Sequence, residues 1–155
     1  MINNLTILNT LELYIARYLN DYLDEVEGMD IPLPRITDKS VSQTFPAVDS
    51  QPMPNMFNLV VTYEENEGLS VGSDLCSLNV SVFITCKRDK SSNLQKKVNG
   101  YATAFQLMLW HHQNLDGLVD MCDVTNADYY PAVEGDINVA GVEMNITIQY
   151  AKEYC

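Results

Sequence analysis

The side chains in this chain best suited to chemistry are two histidines and four cysteines. His111 and His112 are adjacent, and neighbours on a helix point about 100° apart, so the pair does not converge easily on one metal ion. No cysteine belongs to a C-x-x-C pair; the four are Cys76, Cys86, Cys122 and Cys155. Zinc sites need closely spaced ligands, so we expect reduced thiols and no metal or catalytic residue here.

Motifs of enzyme chemistry are missing from the rest of the sequence. The glycines are scattered singly, which excludes a phosphate-binding glycine loop, and there is no G-x-S-x-G turn. We therefore expect a protein that is not an enzyme and uses no cofactor. A small cytoplasmic ligand-binding or enzymatic α+β domain stays open as an alternative, and it would need polar groups that converge in a pocket.

Composition favours one acidic globular domain spanning residues 1–155. The chain has 155 residues, 46% of them hydrophobic, and a net charge of −12. Such a chain does not grip a phosphate backbone, although it could surround DNA and let it slide past. No apolar run approaches the roughly 20 residues of a membrane span. The amino end lacks the basic region of a signal peptide, so the expected location is the cytoplasm in which the protein is made.

Two stretches alternate apolar and polar residues almost without interruption. Leu78–Cys86 and Val142–Tyr150 each place an apolar side chain at every second position. Each stretch therefore predicts a strand with one apolar face and one polar face, and the polar faces are rich in amides and hydroxyls. One-sided strands imply a sheet that helices cover on a single face.

Further patterns predict the remaining elements. A helical stripe begins near Thr6 and stops before Gly28, and a capping box at Ser92 predicts a second helix. The fold class is thus α+β, with a mostly antiparallel four-stranded sheet, a central helix packed on one face and an N-terminal helix. The predicted bounds are helices Thr6–Val26 and Ser92–Leu115, strands Phe57–Tyr63, Leu75–Lys87, Leu118–Ala127 and Asn138–Tyr150, and a loose hairpin connection that turns through Glu64–Gly68.

A proline-containing arm spans residues 29–55 and holds five of the six prolines. A connection this long is uncommon inside a compact domain, and its apolar residues are too many for a solvated tether. We predict that the arm, including Pro52 and Pro54, contacts a neighbouring copy of the chain.

Charge is distributed unevenly. Five of the nine basic residues form a basic cluster at the start of the second helix: Lys87, Arg88, Lys90, Lys96 and Lys97. Their predicted partners on an adjacent copy are the first helix or the acidic group Glu64, Glu65 and Glu67. Complementary patches on one chain favour a head-to-tail ring.

The order of these elements resembles the tail terminator (tail completion) proteins of long-tailed phages. The matching parts are the segment Gln51–Asn55 before the first strand, the strand Ser77–Lys87, the helix Asn93–Leu115 and the closing strand Gly141–Tyr150. The resemblance covers nearly the whole chain and is one of topology and pattern. The long arm and the strongly acidic balance depart from it.

This resemblance implies a virion protein without catalytic residues. It implies a homohexameric ring at the head-proximal end of the tail, bound to the tail tube protein and the head-tail connector protein, with DNA passing through unbound. Assembly would take place in the host cytoplasm, without a membrane. Another neck adaptor or tail component remains an alternative, although a tube subunit would need a longer hairpin than the sequence predicts.

Overall fold

A computed structural model describes residues 2–46, 53–89, 93–133 and 135–153. Within these ranges the fold is α+β, with two α-helices and one five-stranded mixed sheet in the order β1-β2-β3-β5-β4. The elements are α1 Asn4–Leu23, a 3-10 turn Asp38–Ser40, β1 Val41–Ser42, β2 Asn55–Ser70, β3 Ser73–Lys87, α2 Leu94–His111, β4 Met121–Tyr130 and β5 Val139–Glu153.

The prediction of a four-stranded sheet was wrong, because the arm contributes a fifth strand. β1 runs parallel to β2, with Val41 opposite Phe57, whereas the other strand pairs are antiparallel. The 3-10 turn that Thr37 caps delivers the chain to this edge. A strand of two residues is too short to show a periodic pattern, which is why the sequence did not reveal it.

The apolar face of the sheet and the two helices enclose the core. The predicted register of both alternating strands is confirmed, since Val82 and Ile146 are completely buried. Phe57 of β2 meets Tyr101 and Phe105 of α2 at ring-centroid distances of 5.9 and 6.2 Å. Aromatic and branched residues at the expected spacing therefore hold α2 across the sheet.

Both helices differ from prediction at their ends. α1 begins at Asn4, capped by Asn3, and ends at Leu23. Asn93 caps α2, and Ser92 lies outside the described residues. After α2 the chain turns, with Asp116 in the left-handed region at φ 58°.

A bulge in β2 places the side chains that follow it on the opposite face from the one that strict alternation predicts. The register with β3 shifts between Val61 and Tyr63, so Thr62 is an extra residue. The predicted alternation through Tyr63 is therefore wrong at its end. Tyr63 lies on the polar face of the sheet and is 55% exposed, whereas Glu64 faces the helices opposite Leu78.

The predicted turn at Glu64–Gly68 was also wrong, because β2 continues through it to Ser70. Val71 and Gly72 alone connect β2 to β3, and Gly72 takes the left-handed backbone with φ 83°. β5 runs beside this hairpin as far as Glu153. The acidic residues that suggested a turn belong to a strand whose outer half extends beyond the core, where polar side chains meet water.

The first half of the arm packs on its own chain. The Asn20 side chain bonds both polar backbone groups of Ile36, at 2.8 and 2.9 Å, and the Tyr101 hydroxyl donates to the Pro34 carbonyl at 2.5 Å. Leu33 lies close above Gly100 of α2, where an added Cβ would come within 2.8 Å of its side chain. Contact between the arm and a neighbouring copy stays a prediction.

Candidate assembly surfaces

The polar face of the sheet, which we call the outer face, carries a hydrogen-bonded network of amides, hydroxyls and a carboxylate. The Ser81 hydroxyl lies 3.1 Å from a Glu143 carboxylate oxygen and 2.9 Å from the side-chain oxygen of Asn145. Asn145 in turn donates to Asn126 across β4 and β5 at 2.6 Å. Linked amides and hydroxyls fix these side chains, so the outer face is a shaped, hydrated surface.

Open strand edges flank this surface on both sides. β4 is the last strand at one side of the sheet, and no other strand in the described ranges pairs with its outer edge. At the other side, within the same described ranges, β1 pairs with only Phe57 and Asn58 of β2. Unpaired N–H and C=O groups on opposite edges of one sheet are able to pair with a further strand from another chain.

The basic cluster is not the uniform exposed surface that the sequence suggested. Lys97 is only 2% exposed and forms an ion pair with Asp89. Lys96, which is exposed, pairs with Asp30 of the arm at 2.7 Å. Placing Lys97 in an exposed cluster was therefore wrong, because burial of its stem on α2 and the nearby carboxylate keep it within its own chain.

The other members of the cluster lie at the far end of β3. Lys87 is half-buried and Arg88 is exposed, with an Arg88 guanidinium nitrogen 3.3 Å from the carbonyl of Ile137. Lys90 lies outside the described residues. Of the cluster members that the structure describes, Lys87 and Arg88 are thus the two without a carboxylate bound to them.

The acidic group, which follows the bulge, is divided between the two faces of β2. Glu64 accepts hydrogen bonds from Asn4 at 2.6 Å and Lys152 at 3.1 Å, and these bonds hold the pKa of its carboxyl below the ordinary value. Glu65 and Glu67 lie exposed on the outer face of the hairpin. Only the last two are available to a partner, since Glu64 is already neutralised within the chain.

Of the two prolines predicted to contact a neighbouring copy, the structure describes one. Pro54 is exposed, and its carbonyl accepts a hydrogen bond from the backbone of Lys87 at 2.9 Å. Pro52 lies outside the described residues. Pro54 therefore brings the end of the arm beside Lys87 and Arg88.

An apolar groove opens at the same end of the outer face. Its volume is about 240 Å³, and it is lined by Pro46, Phe83, Thr85, Tyr130, Val133, Gly141 and Val142. Gly141 permits the close approach of β3 here, since an added Cβ would meet the Ile84 carbonyl oxygen at 2.9 Å. Beyond the groove the Tyr130 hydroxyl lies 3.3 Å from Glu143; burial, followed by this carboxylate, raises the tyrosine pKa.

The histidines and cysteines take structural positions. His112 stacks on Tyr18 at a centroid distance of 5.3 Å, and His111 stacks on Tyr22 at 5.6 Å, which joins the end of α2 to α1. Burial raises the pKa of both the Cys86 and the Cys122 thiol to about 12, so they stay protonated at neutral pH. Among the described residues, no group of three or more His, Cys, Asp or Glu side chains could hold a metal ion.

Sequence reasoning missed both the groove and the exposed hairpin tip. The groove forms where the arm, β3 and the loop after β4 meet, and no spacing in the sequence indicates that meeting. The tip carried a weak signal, because Leu69 and Val71 flank a serine between two glycines. In the described part of the chain, neither helix is long and apolar enough to cross a membrane.

The sequence matches no protein-family model and no curated protein. Among solved structures, the fold is similar to a chain described as the virion of native gene transfer agent (GTA) particle, with a TM-score of 0.45 and 6% sequence identity. The match covers 90% of this chain and 88% of that chain.

Proposed function

We propose that this protein is a structural, non-catalytic component of a phage virion, of the tail terminator type. In this role it forms a ring at the head-proximal end of the tail tube, stops tube growth and docks to the head connector protein. The support from the sequence is the resemblance across nearly the whole chain. The support from the structure is a one-sided sheet with open edges on opposite sides.

The outer face carries the argument from structure. Its network of amides and hydroxyls includes the Glu143 carboxylate, Glu65 and Glu67 lie on the same face, and the whole chain is acidic, with a net charge of −12. A ring that exposes this face to its channel would repel and hydrate DNA, which would then pass without binding. The unpaired edges of β2 and β4 supply the heterologous contact that closes a ring.

The experiment is negative-stain imaging of the purified chain, combined with its mass in solution. We expect ring-shaped particles of sixfold mass with a central channel. A monomer at every concentration, with a small molecule bound in a pocket, would instead favour a ligand-binding domain and overturn the proposal.

A tail tube subunit is the second candidate, and the long hairpin favours it. Tube subunits need a hairpin that reaches a neighbouring ring, and β2 and β3 here run to 16 and 15 residues. The same images separate the two functions. Open-ended tubes would identify a tube subunit, whereas rings that do not stack would support the terminator.

A further inference from the structure

The tip of the β2–β3 hairpin is apolar and fully exposed. Val71 has no side-chain cover at all, with an exposure of 106%, and Leu69 is 57% exposed. Val71 on the turn and Leu69 just before it give the hairpin little advantage in its own chain, because most of their apolar surface stays in water there. They would be stabilised if another surface removed them from water.

The apolar groove lies too far away to receive the tip of the same chain. Thr85 in the groove lies twelve residues after Ser73 at the turn, and β3 is continuous between them. At a rise of roughly 3.3 Å per residue, the distance is roughly 40 Å. Any hairpin of this type that fills the groove must therefore come from a second copy of the chain.

Charge at the two places is complementary. Glu65 and Glu67 follow the outer face of the hairpin toward its tip, and Lys87 lies two residues beyond Thr85 on the groove side of β3. Arg88 extends over the loop that forms the groove wall, near Ile137. Glu143 beyond the groove is already bonded by Ser81 and Tyr130. The rim thus offers an acidic hairpin two cations, Lys87 and Arg88, although Asp136 opposite Val133 and Glu143 opposite Phe83 also lie there.

We propose that the hairpin tip of one copy inserts Leu69 and Val71 into the groove lined by Phe83, Tyr130 and Val133 of the next copy. This contact is heterologous, since tip and groove lie at opposite ends of the outer face. Glu65 and Glu67 of the inserted hairpin approach Lys87 and Arg88 at the rim. The inference rests on the proposed ring and specifies which surfaces join its neighbours.

Cross-linking tests the contact directly. In a Cys155→Ser background, the Val71→Cys and Val133→Cys variants are prepared separately, mixed and treated with a short bis-maleimide. We expect a covalent dimer in the mixture that is much weaker in either variant alone. The background protein without added cysteines is the control, because Cys76, Cys86 and Cys122 are buried. A Val71→Cys variant that cross-links equally well to itself would show a tip-to-tip contact and overturn the proposal.

A charge exchange tests the orientation. Glu67→Lys and Lys87→Glu should each weaken association by roughly tenfold through repulsion at the rim, and the double variant should regain most of it. Glu27→Lys makes the same change in net charge as Glu67→Lys at an exposed position outside the hairpin, the groove and the arm, and it should not weaken association. Equal effects of Glu67→Lys and Glu27→Lys would overturn the charge pairing.

The outcomes separate this inference from the proposed function. Rings without the Val71–Val133 cross-link would overturn the hairpin contact and leave the ring intact. The cross-link in open-ended filaments would confirm the contact and overturn the terminator in favour of a tube subunit. Monomers that never cross-link would overturn both.

Discussion

Lys96 and Lys97 are adjacent in the sequence, but they lie in opposite environments on α2. Lys97 is buried beside Asp89, whereas Lys96 pairs with Asp30 in water, with side-chain exposures of 3% and 46%. Position on the helix, and not residue type, thus decides how much each charge contributes to folding.

A charge reversal at each position should separate them. We expect Lys97→Glu to destabilise the fold by about 3–5 kcal/mol, because it buries a carboxylate next to that of Asp89. Lys96→Glu should cost less than about 1 kcal/mol, since its partner is well exposed. Urea unfolding followed by circular dichroism measures both. Equal losses would contradict the buried position of Lys97.

Glu64 should make stability depend on acid. Hydrogen bonds from Asn4 and Lys152 lower its pKa from the ordinary value of 4.5, so its stabilisation is present above that pH and is lost as pH falls through the folded-state pKa. We expect Glu64→Gln to cost about 1 kcal/mol at neutral pH and less in acid, as the pH falls through the folded-state pKa.

The matched control for this change is Glu65→Gln on the exposed face of the same strand. Its unfolding free energy should differ from wild type by less than about 0.5 kcal/mol both at neutral pH and in acid. A Glu64→Gln deficit that persists unchanged in acid would rule out the carboxylate as its cause.

Among the elements, the arm depends on a few side chains of α1 and α2 for its position. Asn20 acts as a substitute backbone group, because its amide both donates to and accepts from Ile36. The buried side chains of Ile36 and Val41 then follow it into the core.

Removal of Asn20 should loosen the arm more than the domain. We expect Asn20→Ala to reduce stability by about 1–3 kcal/mol and to raise amide exchange at residues 30–42, since buried backbone groups lose their partners. Asp21→Ala, on the exposed side of α1, is the control and should leave exchange unchanged. Uniform faster exchange throughout the sheet would show that the arm has no separate stability.

The strands also show what the sequence could predict. The alternation of apolar and polar residues predicted which side chains of β3 and β5 face the core, because one face of each strand is buried. The bulge at Thr62 did not, because apolar residues continue through Tyr63 as if the alternation were intact. Burial of Lys97 and formation of the groove depend on contacts between distant segments, which local patterns do not contain.

On the scale of the whole molecule, net charge opposes assembly. Each copy carries a charge of −12, so copies in a ring repel one another at low salt. In the proposed ring, apolar and strand-edge contacts would therefore supply most of the association, and Lys87 and Arg88 would reduce the repulsion locally.

Salt should accordingly favour the oligomer. Screening weakens the few specific pairs but relieves a much larger general repulsion, and we expect relief to dominate between about 0.01 M and 0.3 M salt. Sedimentation velocity across this range measures the oligomer fraction. A steady loss of oligomer with rising salt would show that attractive pairs dominate instead.

The bulge in β2 also restricts which insertions and deletions the hairpin can accept during evolution. Because Thr62 fixes which side chains of the hairpin face outward, insertion or loss of one residue between Thr62 and Glu65 would turn Glu65 and Glu67 to the opposite face. A change of two residues in each strand preserves the faces. Hairpins of this lineage should therefore lengthen or shorten in paired steps, and their reach should vary in increments of roughly 7 Å.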